Sequence, residues 1–313
     1  MNRESARLQK NAVGYYLKRY REQRGYSQSE VCDGICSITT LSRIEAGEDI
    51  VSFPMIEAIM SRMGIDGLEC EFFITGEEES AYECQEEIKI LFGREEYEKA
   101  EECLAVYEQK YGMKDIYSQF LFFWRAILEK NRLDPDKKLI KELLVKSIEK
   151  TVADYRKKIE GKELLSSIEL DCIMELINCE ENSEDREQWY EDFYAYFKWK
   201  QRKGKIFSVA YRKLLRYYAV CLYENEKYDQ CILICDEVIK EMYSTSKEEN
   251  RWYLFYIRAK AREGRELKSE EEKKLCLEDF LTAYHLVAFY NGEEKAETLK
   301  KYIEEKYRWQ FIN

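Results

Sequence analysis

"SITTLSRIEAGE", Ser37–Glu48, is the stretch on which the reading of this chain turns. Ser37 can cap a helix, Leu41 and Ile44 fall three apart on one side of it, and Gly47 ends it. Thr39, Thr40 and Arg43 are left facing outward. Such a segment is either one more surface helix or a helix built to lie in a groove of DNA, and its neighbours decide between the two.

Upstream, "SQSE" at Ser27–Glu30 is a capping box, serine followed three residues later by glutamate, so a second helix starts there. It carries Val31 inward and ends near Gly34. Before it, Val13–Gln23 is amphipathic, with Val13, Leu17 and Tyr20 on one stripe, Tyr16 beside it, and Gly25 as the stop. Downstream, Pro54 suits the first turn of a fourth helix whose apolar side is Ile56, Ile59, Met60 and Met63. Four or five short helices in about 66 residues, the second and third joined tightly, describe a helix-turn-helix domain. The third helix would then enter the major groove by its N-terminal end. Serine and threonine can bond base edges or phosphates there, and arginine can bond guanine bidentately.

Charge supports this locally. The net charge is −11, yet residues 1–66 carry nine basic and nine acidic residues, and residues 1–30 carry seven basic against three acidic. "LKRYREQR", Leu17–Arg24, holds four of those basic residues.

Composition sets the class. Two prolines and 13 glycines in 313 residues are too few for a strand-and-turn protein, and the 36% charged residues come as helix-compatible mixtures such as "EEYEKAEE", Glu95–Glu102. The expectation is an all-α, soluble chain. Residues 1–12 show no signal peptide, and no stretch has the roughly 20 apolar residues that span a bilayer, so no membrane partner is expected. The 11 cysteines read as reduced thiols of a cytoplasmic protein. Cys32/Cys36 and Cys231/Cys235 are spaced for one helix face rather than for zinc. The single histidine, His285, lies in the apolar run "LTAYHLVAFY" and reads as a packed helix residue. Without a second histidine or a phosphate-binding glycine loop, no catalytic residue, metal or cofactor is expected, and the chain does not read as an enzyme.

"YSQSEVCDGICSITTLSRIEAGE", Tyr26–Glu48, resembles the Cro- and repressor-type (XRE) helix-turn-helix family in its polar cap, its early glutamine and its closing "LSRIE-x-G". The resemblance implies that Gln28 contacts backbone or bases, that Ser37, Thr39 and Thr40 read bases with Arg43 one turn later, and that Arg21 on the first helix pairs with Glu45. Ile38 departs from the family, where glutamine is common. Contact with a thymine methyl and simple packing are both open to it.

Beyond a linker expected at 67–80, "LFGREEYEKAEECLAVYEQ" (Leu91–Gln109) is echoed by "LYENEKYDQCILICDEVIKE" (Leu222–Glu241). Tyr97 and Tyr228 lie 131 residues apart, about four periods near the 34 residues of tetratricopeptide repeats. Phe120–Thr151 and Ile168–Lys200 fit as intermediate pairs, and Trp252–Tyr290 as a fifth. Residues 81–313 are therefore expected to form a tetratricopeptide-like superhelix after the 1–66 head, the alternative being an irregular helical bundle. In the tetratricopeptide family the second, sixth and ninth positions of each first helix face the ligand. The resemblance places Lys213, Tyr217 and Val220 there in one repeat, and Arg251, Phe255 and Arg258 in the next. Tyr217 and Phe255 stand where asparagine is common. Basic residues flanked by aromatics suit a short peptide with an acidic group or free carboxylate.

Together the two parts resemble the peptide-pheromone-responsive regulators of Gram-positive bacteria, the group that includes Rgg and PlcR. The resemblance implies a cytoplasmic homodimeric transcription regulator, with double-stranded DNA and a short signalling peptide as partners in quorum sensing. The other reading is a repeat-domain adaptor that binds a protein, its DNA-binding domain secondary.

Overall fold

The computed structural model describes residues 3–49, 52–65, 76–112, 115–203, 209–242, 251–265 and 269–311. Among them every regular element is a helix. Two compact units divide the chain: residues 1–180 with 198–206, and residues 181–197 with 207–313.

The first unit begins with four helices: α1 (Arg3–Gln23), α2 (Gln28–Cys32), α3 (Ile38–Glu45) and α4 (Phe53–Arg62). Ser27 and Ser37 cap α2 and α3 through their hydroxyls, as the sequence requires. The expected apolar stripes meet: Val13, Leu17, Val31, Leu41, Ile44, Ile56, Ile59, Met60 and Met63 form one buried cluster. α1 and α3 are drawn so close that a Cβ on Gly14 would lie 2.1 Å from the Ile44 carbonyl oxygen. No other residue type fits that crossing without a shift.

The head shares its unit with α5 (Gly76–Gly93), α6 (Tyr97–Tyr111), α7 (Asp115–Lys130), α8 (Lys137–Ile148), α9 (Tyr155–Glu160) and α10 (Ser167–Asn178). α4 packs on α7 and α10. Of the expected 67–80 linker, residues 67–75 lie outside the described residues and 76–80 belong to α5. Several contacts fasten head to helices, among them the hydrogen bond from Ser167 N–H to Ser61 Oγ at 2.6 Å. Arg62, fully buried, gives two hydrogen bonds to the equally buried Glu169 carboxylate, at 2.6 and 3.2 Å. Lys158 pairs with Asp33 at 2.6 Å. Gly34, with φ +71°, sits where a Cβ would be 1.9 Å from the Thr151 carbonyl oxygen. Burial alone raises the Glu169 carboxyl pKa, but the Arg62 charge and hydrogen bonds overcome this and hold it below the usual range. Lys200, buried beside them, donates to the Leu165 carbonyl at 3.2 Å, and burial pushes its pKa down to about 8 against the pull of Glu169.

The remaining helices are α11 (Ser183–Lys203), α12 (Val209–Glu224), α13 (Tyr228–Met242), α14 (Arg251–Gly264), α15 (Glu270–Asn291) and α16 (Glu293–Tyr307). Within the second unit, α12/α13 and α14/α15 pack as pairs, and α12 also touches α14, the neighbouring first helix. That is the arrangement of helical repeats. The quoted echo is structural as well. Glu95 and Glu226 both adopt left-handed backbone, φ 60° and 58°, two residues before Tyr97 and Tyr228. Glu96 N–H donates to Leu91 at 3.0 Å, and Lys227 N–H to Leu222 at 2.9 Å, the same helix-ending motif in both turns. The period differs from expectation. Second helices of successive pairs begin at residues 97, 137, 183, 228 and 270, so the 131-residue separation spans three steps of 40 to 46 residues, not four of about 33. Long helices, and α9 inserted between pairs, stretch the repeat. His285 also corrects an expectation. It lies on α15 but on the exposed side, edge-on to Tyr284 at 5.2 Å, while Ala283 and Val287 face inward.

Candidate nucleic-acid interface

α3 is braced from behind. Arg21 on α1 donates through Nε and Nη2 to the two Glu45 oxygens at 2.6 and 2.8 Å, and through Nη1 to the Tyr26 carbonyl at 3.0 Å. The Glu45 hydrogen bond raises the Arg21 pKa, so the clamp stays charged. Gln28 adds Nε2 to Glu45 Oε2 at 2.9 Å. The pairing of Arg21 with Glu45 is thus present, while Gln28 faces the same carboxylate rather than standing free. Burial pushes the Cys36 thiol up to about 11 and the Cys32 thiol upward too, so both remain protonated and inert at neutral pH.

The outer side of α3 is the candidate surface. Ser37 Oγ accepts the Thr40 N–H at 3.0 Å and shares a hydrogen with Thr40 Oγ1 at 2.8 Å, so those two hydroxyls are oriented by one another. Thr39 is exposed. Arg43 is 55% exposed, held loosely to Asp49 at 3.1 Å and Glu48 at 3.8 Å. Ile38, whose role the sequence left open, is 52% exposed and therefore does not pack into the head. Ser42, exposed on the same helix, went unnoticed in the sequence, although its place one residue before Arg43 could have found it. Lys18 and Arg19 on α1, and Arg24 in the turn that follows it, are exposed too. The arrangement offers hydroxyls, a methyl-bearing side chain and a guanidinium on one stiff helix, groups that can each meet a major-groove base edge.

In the second unit, Lys213, Tyr217 and Val220 share one half-buried side of α12, and the Lys213 ammonium lies 5.9 Å from the Tyr217 ring centre. Arg251, Phe255 and Arg258 share one side of α14. The contact of α12 with α14 brings the two sets onto neighbouring helices. Arg258 is already engaged: it donates to Asp279 through Nε and Nη2 at 2.9 and 2.5 Å and to Asp236 at 2.5 Å, with its guanidinium 5.3 Å from the Phe255 ring centre. Arg262 reaches Asp279 as well, at 3.1 Å. Among the described residues no group of three His, Cys, Asp or Glu side chains could hold a metal ion, and no helix is long and apolar enough to cross a membrane.

Residues 12–72 match the family described as "Helix-turn-helix domain". Sequence comparison with curated proteins returns no match. Among solved structures, the chain is similar to PlcR of Bacillus thuringiensis, solved in complex with the peptide PapR7 and DNA, at 16% identity and a TM-score of 0.55, covering 95% of this chain and 100% of that one. ComR of Streptococcus vestibularis, in complex with its signalling peptide XIP, aligns at 16% identity and a TM-score of 0.49 over 94% and 99% of the two chains. The chain thus has an N-terminal helix-turn-helix domain followed by helical repeats, the fold of PlcR.

Proposed function

We propose that this helix-turn-helix protein with the fold of PlcR is a sequence-specific, DNA-binding transcriptional regulator controlled by a short peptide, acting in the cytoplasm as a homodimer. The observation that carries the reading is the outer face of α3: Ile38, Thr39 and Arg43 exposed on a helix that Arg21, Gln28 and Glu45 hold rigid from behind. A site of this kind needs side chains fixed by packing and by hydrogen bonds behind them. Ser37, Thr39, Thr40 and Arg43 would meet bases or phosphates, with Ile38 suited to a thymine methyl. Gln28, bonded to Glu45, would act at the edge of the contact. PlcR was solved with both DNA and a peptide, which favours the same pair of partners here.

The peptide would lie across α12 and α14, touching Lys213, Tyr217, Val220, Arg251 and Phe255. Arg258, held by Asp236 and Asp279, would support that face rather than supply a free charge. The head, residues 1–66, would read DNA, and the helices from α5 onward would carry the regulatory part. A dimer predicts a near-palindromic operator with half-sites one helical turn apart or a multiple of it.

The test is selection of bound sequences from a random duplex pool by the purified protein, at low and moderate salt. An enriched inverted repeat whose affinity falls steeply with salt is expected. Arg43→Ala should then weaken operator binding by about 1–3 kcal/mol. Enrichment of nothing at either salt, with folded protein, would overturn the reading in favour of a protein-binding adaptor.

A further inference from the structure

The first unit holds a cavity of about 370 Å³ that shares no residue with α3 or with the α12/α14 face. Its walls come from α4, α5, α7 and the start of α10. Phe120, Phe123 and Trp124 make one side, with Trp124 ring-to-ring with both phenylalanines at 6.0 and 5.5 Å. The size and aromatic lining are those of small-molecule sites.

The polar lining is what specifies the ligand. Gln85 is 1% exposed; its Nε2 is committed to Tyr107 Oη at 2.6 Å, while its Oε1 makes no hydrogen bond among the described residues. A buried polar group without a partner is costly, and a ligand that supplies a donor removes the cost. The charges on the lining point the same way. Glu57 and Asp171 are carboxylates, and the one ammonium, Lys89, is already held by Glu86 at 2.7 Å and Glu57 at 3.8 Å. The cavity therefore presents an unfilled acceptor, Gln85 Oε1, an ammonium already engaged by carboxylates and an electron-rich wall, which favour a donor-bearing aromatic ligand and disfavour an anion.

We infer that this cavity is a second ligand site, for a small aromatic molecule that carries an amine or amide N–H and no negative charge. The match is between the ring wall and an aromatic body, and between Gln85 Oε1 with the acidic lining and the N–H group. The inference stands apart from DNA reading, because it is tested by direct binding.

The experiment is calorimetric titration of the full chain with phenethylamine, benzamide and phenylacetate, which share a ring and differ in charge and donor. Phenethylamine and benzamide should bind one per chain, with dissociation constants on the order of 1 mM or tighter, as befits fragments so small. Phenylacetate should bind at least about tenfold more weakly, a difference of about 1.4 kcal/mol. Gln85→Leu should weaken the two binders by a similar factor while retaining a cooperative melt. Ala58→Phe, which places a ring in the cavity, should abolish binding. Absence of binding by either donor ligand, equal binding of phenylacetate, or undiminished binding by folded Ala58→Phe would overturn the site.

Discussion

Arg43 on α3 and Arg258 on α14 are both expected, from helix register, to face a ligand, and they end in opposite circumstances. Arg43 is 55% exposed and shares two carboxylates loosely; the Arg258 side chain is 14% exposed and is gripped by Asp236 and Asp279. Register fixes which side of a helix a residue occupies. Whether its charge is available depends on which carboxylates other elements bring to it. The acids near Arg43 lie five and six residues away, while those of Arg258 lie 22 and 21 residues away on α13 and α15. The exposed arginine can exchange partners for a phosphate or a base. The gripped one contributes to the structure of its unit.

The largest expected effect extends the contrast to a third arginine. Arg62 and Glu169 are both fully buried, so removing one partner strands the other's charge. Arg62→Met should destabilise the protein by about 3–5 kcal/mol in urea unfolding, and the double variant Arg62→Met/Glu169→Met should recover most of the loss. A double variant as unstable as the single one would mean that the carbonyl contacts of Arg62, to Asp33 and Val31, matter more than the ion pair.

Lys200 gives the next effect, and it depends on pH. Its pKa falls from 10.5 to about 8 in the folded protein. Below pH 8 both folded and unfolded chains carry the proton, and the folded state bears the full cost of burying it. Between about 8 and 10.5 the folded protein has released a proton that the unfolded chain still holds, so stability rises with pH across this window. Lys200→Met should therefore be more stable than the parent near neutral pH, by up to about 3 kcal/mol, with the gap closing towards pH 10.5. Thermal melts of both proteins across that range measure it. A gap independent of pH would show that packing, not charge, distinguishes them.

These residues also mark how far the sequence could be read. The head was legible because its signals are local: Ser27 caps through Glu30, Ser37 through Thr40, and Val13, Leu17, Leu41 and Ile44 repeat at helical spacing. The Arg21–Glu45 clamp followed from resemblance to a known family. Gly14 gave no signal, because nothing in the sequence brings α1 against the Ile44 carbonyl. Arg62 and Glu169 are 107 residues apart, and no periodicity links them. The repeat was visible at its two best-matched turns, Glu95–Tyr97 and Glu226–Tyr228, but the number of steps between them was not. Helix length sets the period, and charged, degenerate helices do not announce where they end. The α12 and α14 faces were located by register, whereas the engagement of Arg258 required the positions of α13 and α15.

Arg258→Ala should cost about 2 kcal/mol, since it leaves Asp279, 7% exposed, with only Arg262 beside it. Asp279→Asn should cost less, because an amide can still accept from either arginine. Chemical denaturation of the two variants tests whether the second unit depends on this pair. If Arg258→Ala is as stable as the parent, the arginine is not structural, and the distinction from Arg43 weakens.

The smallest effect on stability, and the sharpest test of the comparison, is at Arg43. A half-exposed ion pair contributes little, so Arg43→Ala, Glu48→Gln and Asp49→Asn should each leave the melting transition within the shift expected of about 0.5 kcal/mol. Their effects on DNA should diverge. Arg43→Ala removes a contact, whereas Asp49→Asn leaves the Arg43 guanidinium at most a neutral hydrogen bond in place of its 3.1 Å ion pair and takes a negative charge from the candidate surface. Asp49→Asn should therefore tighten binding to the selected operator by a few-fold at low salt, with the gain shrinking as salt rises. In the background of Arg43→Ala the same substitution should give a smaller gain, because only the repulsion remains to be relieved. An equal gain in both backgrounds would mean that Asp49 acts on the DNA alone, and that Arg43, however exposed, is no freer to change partners than Arg258.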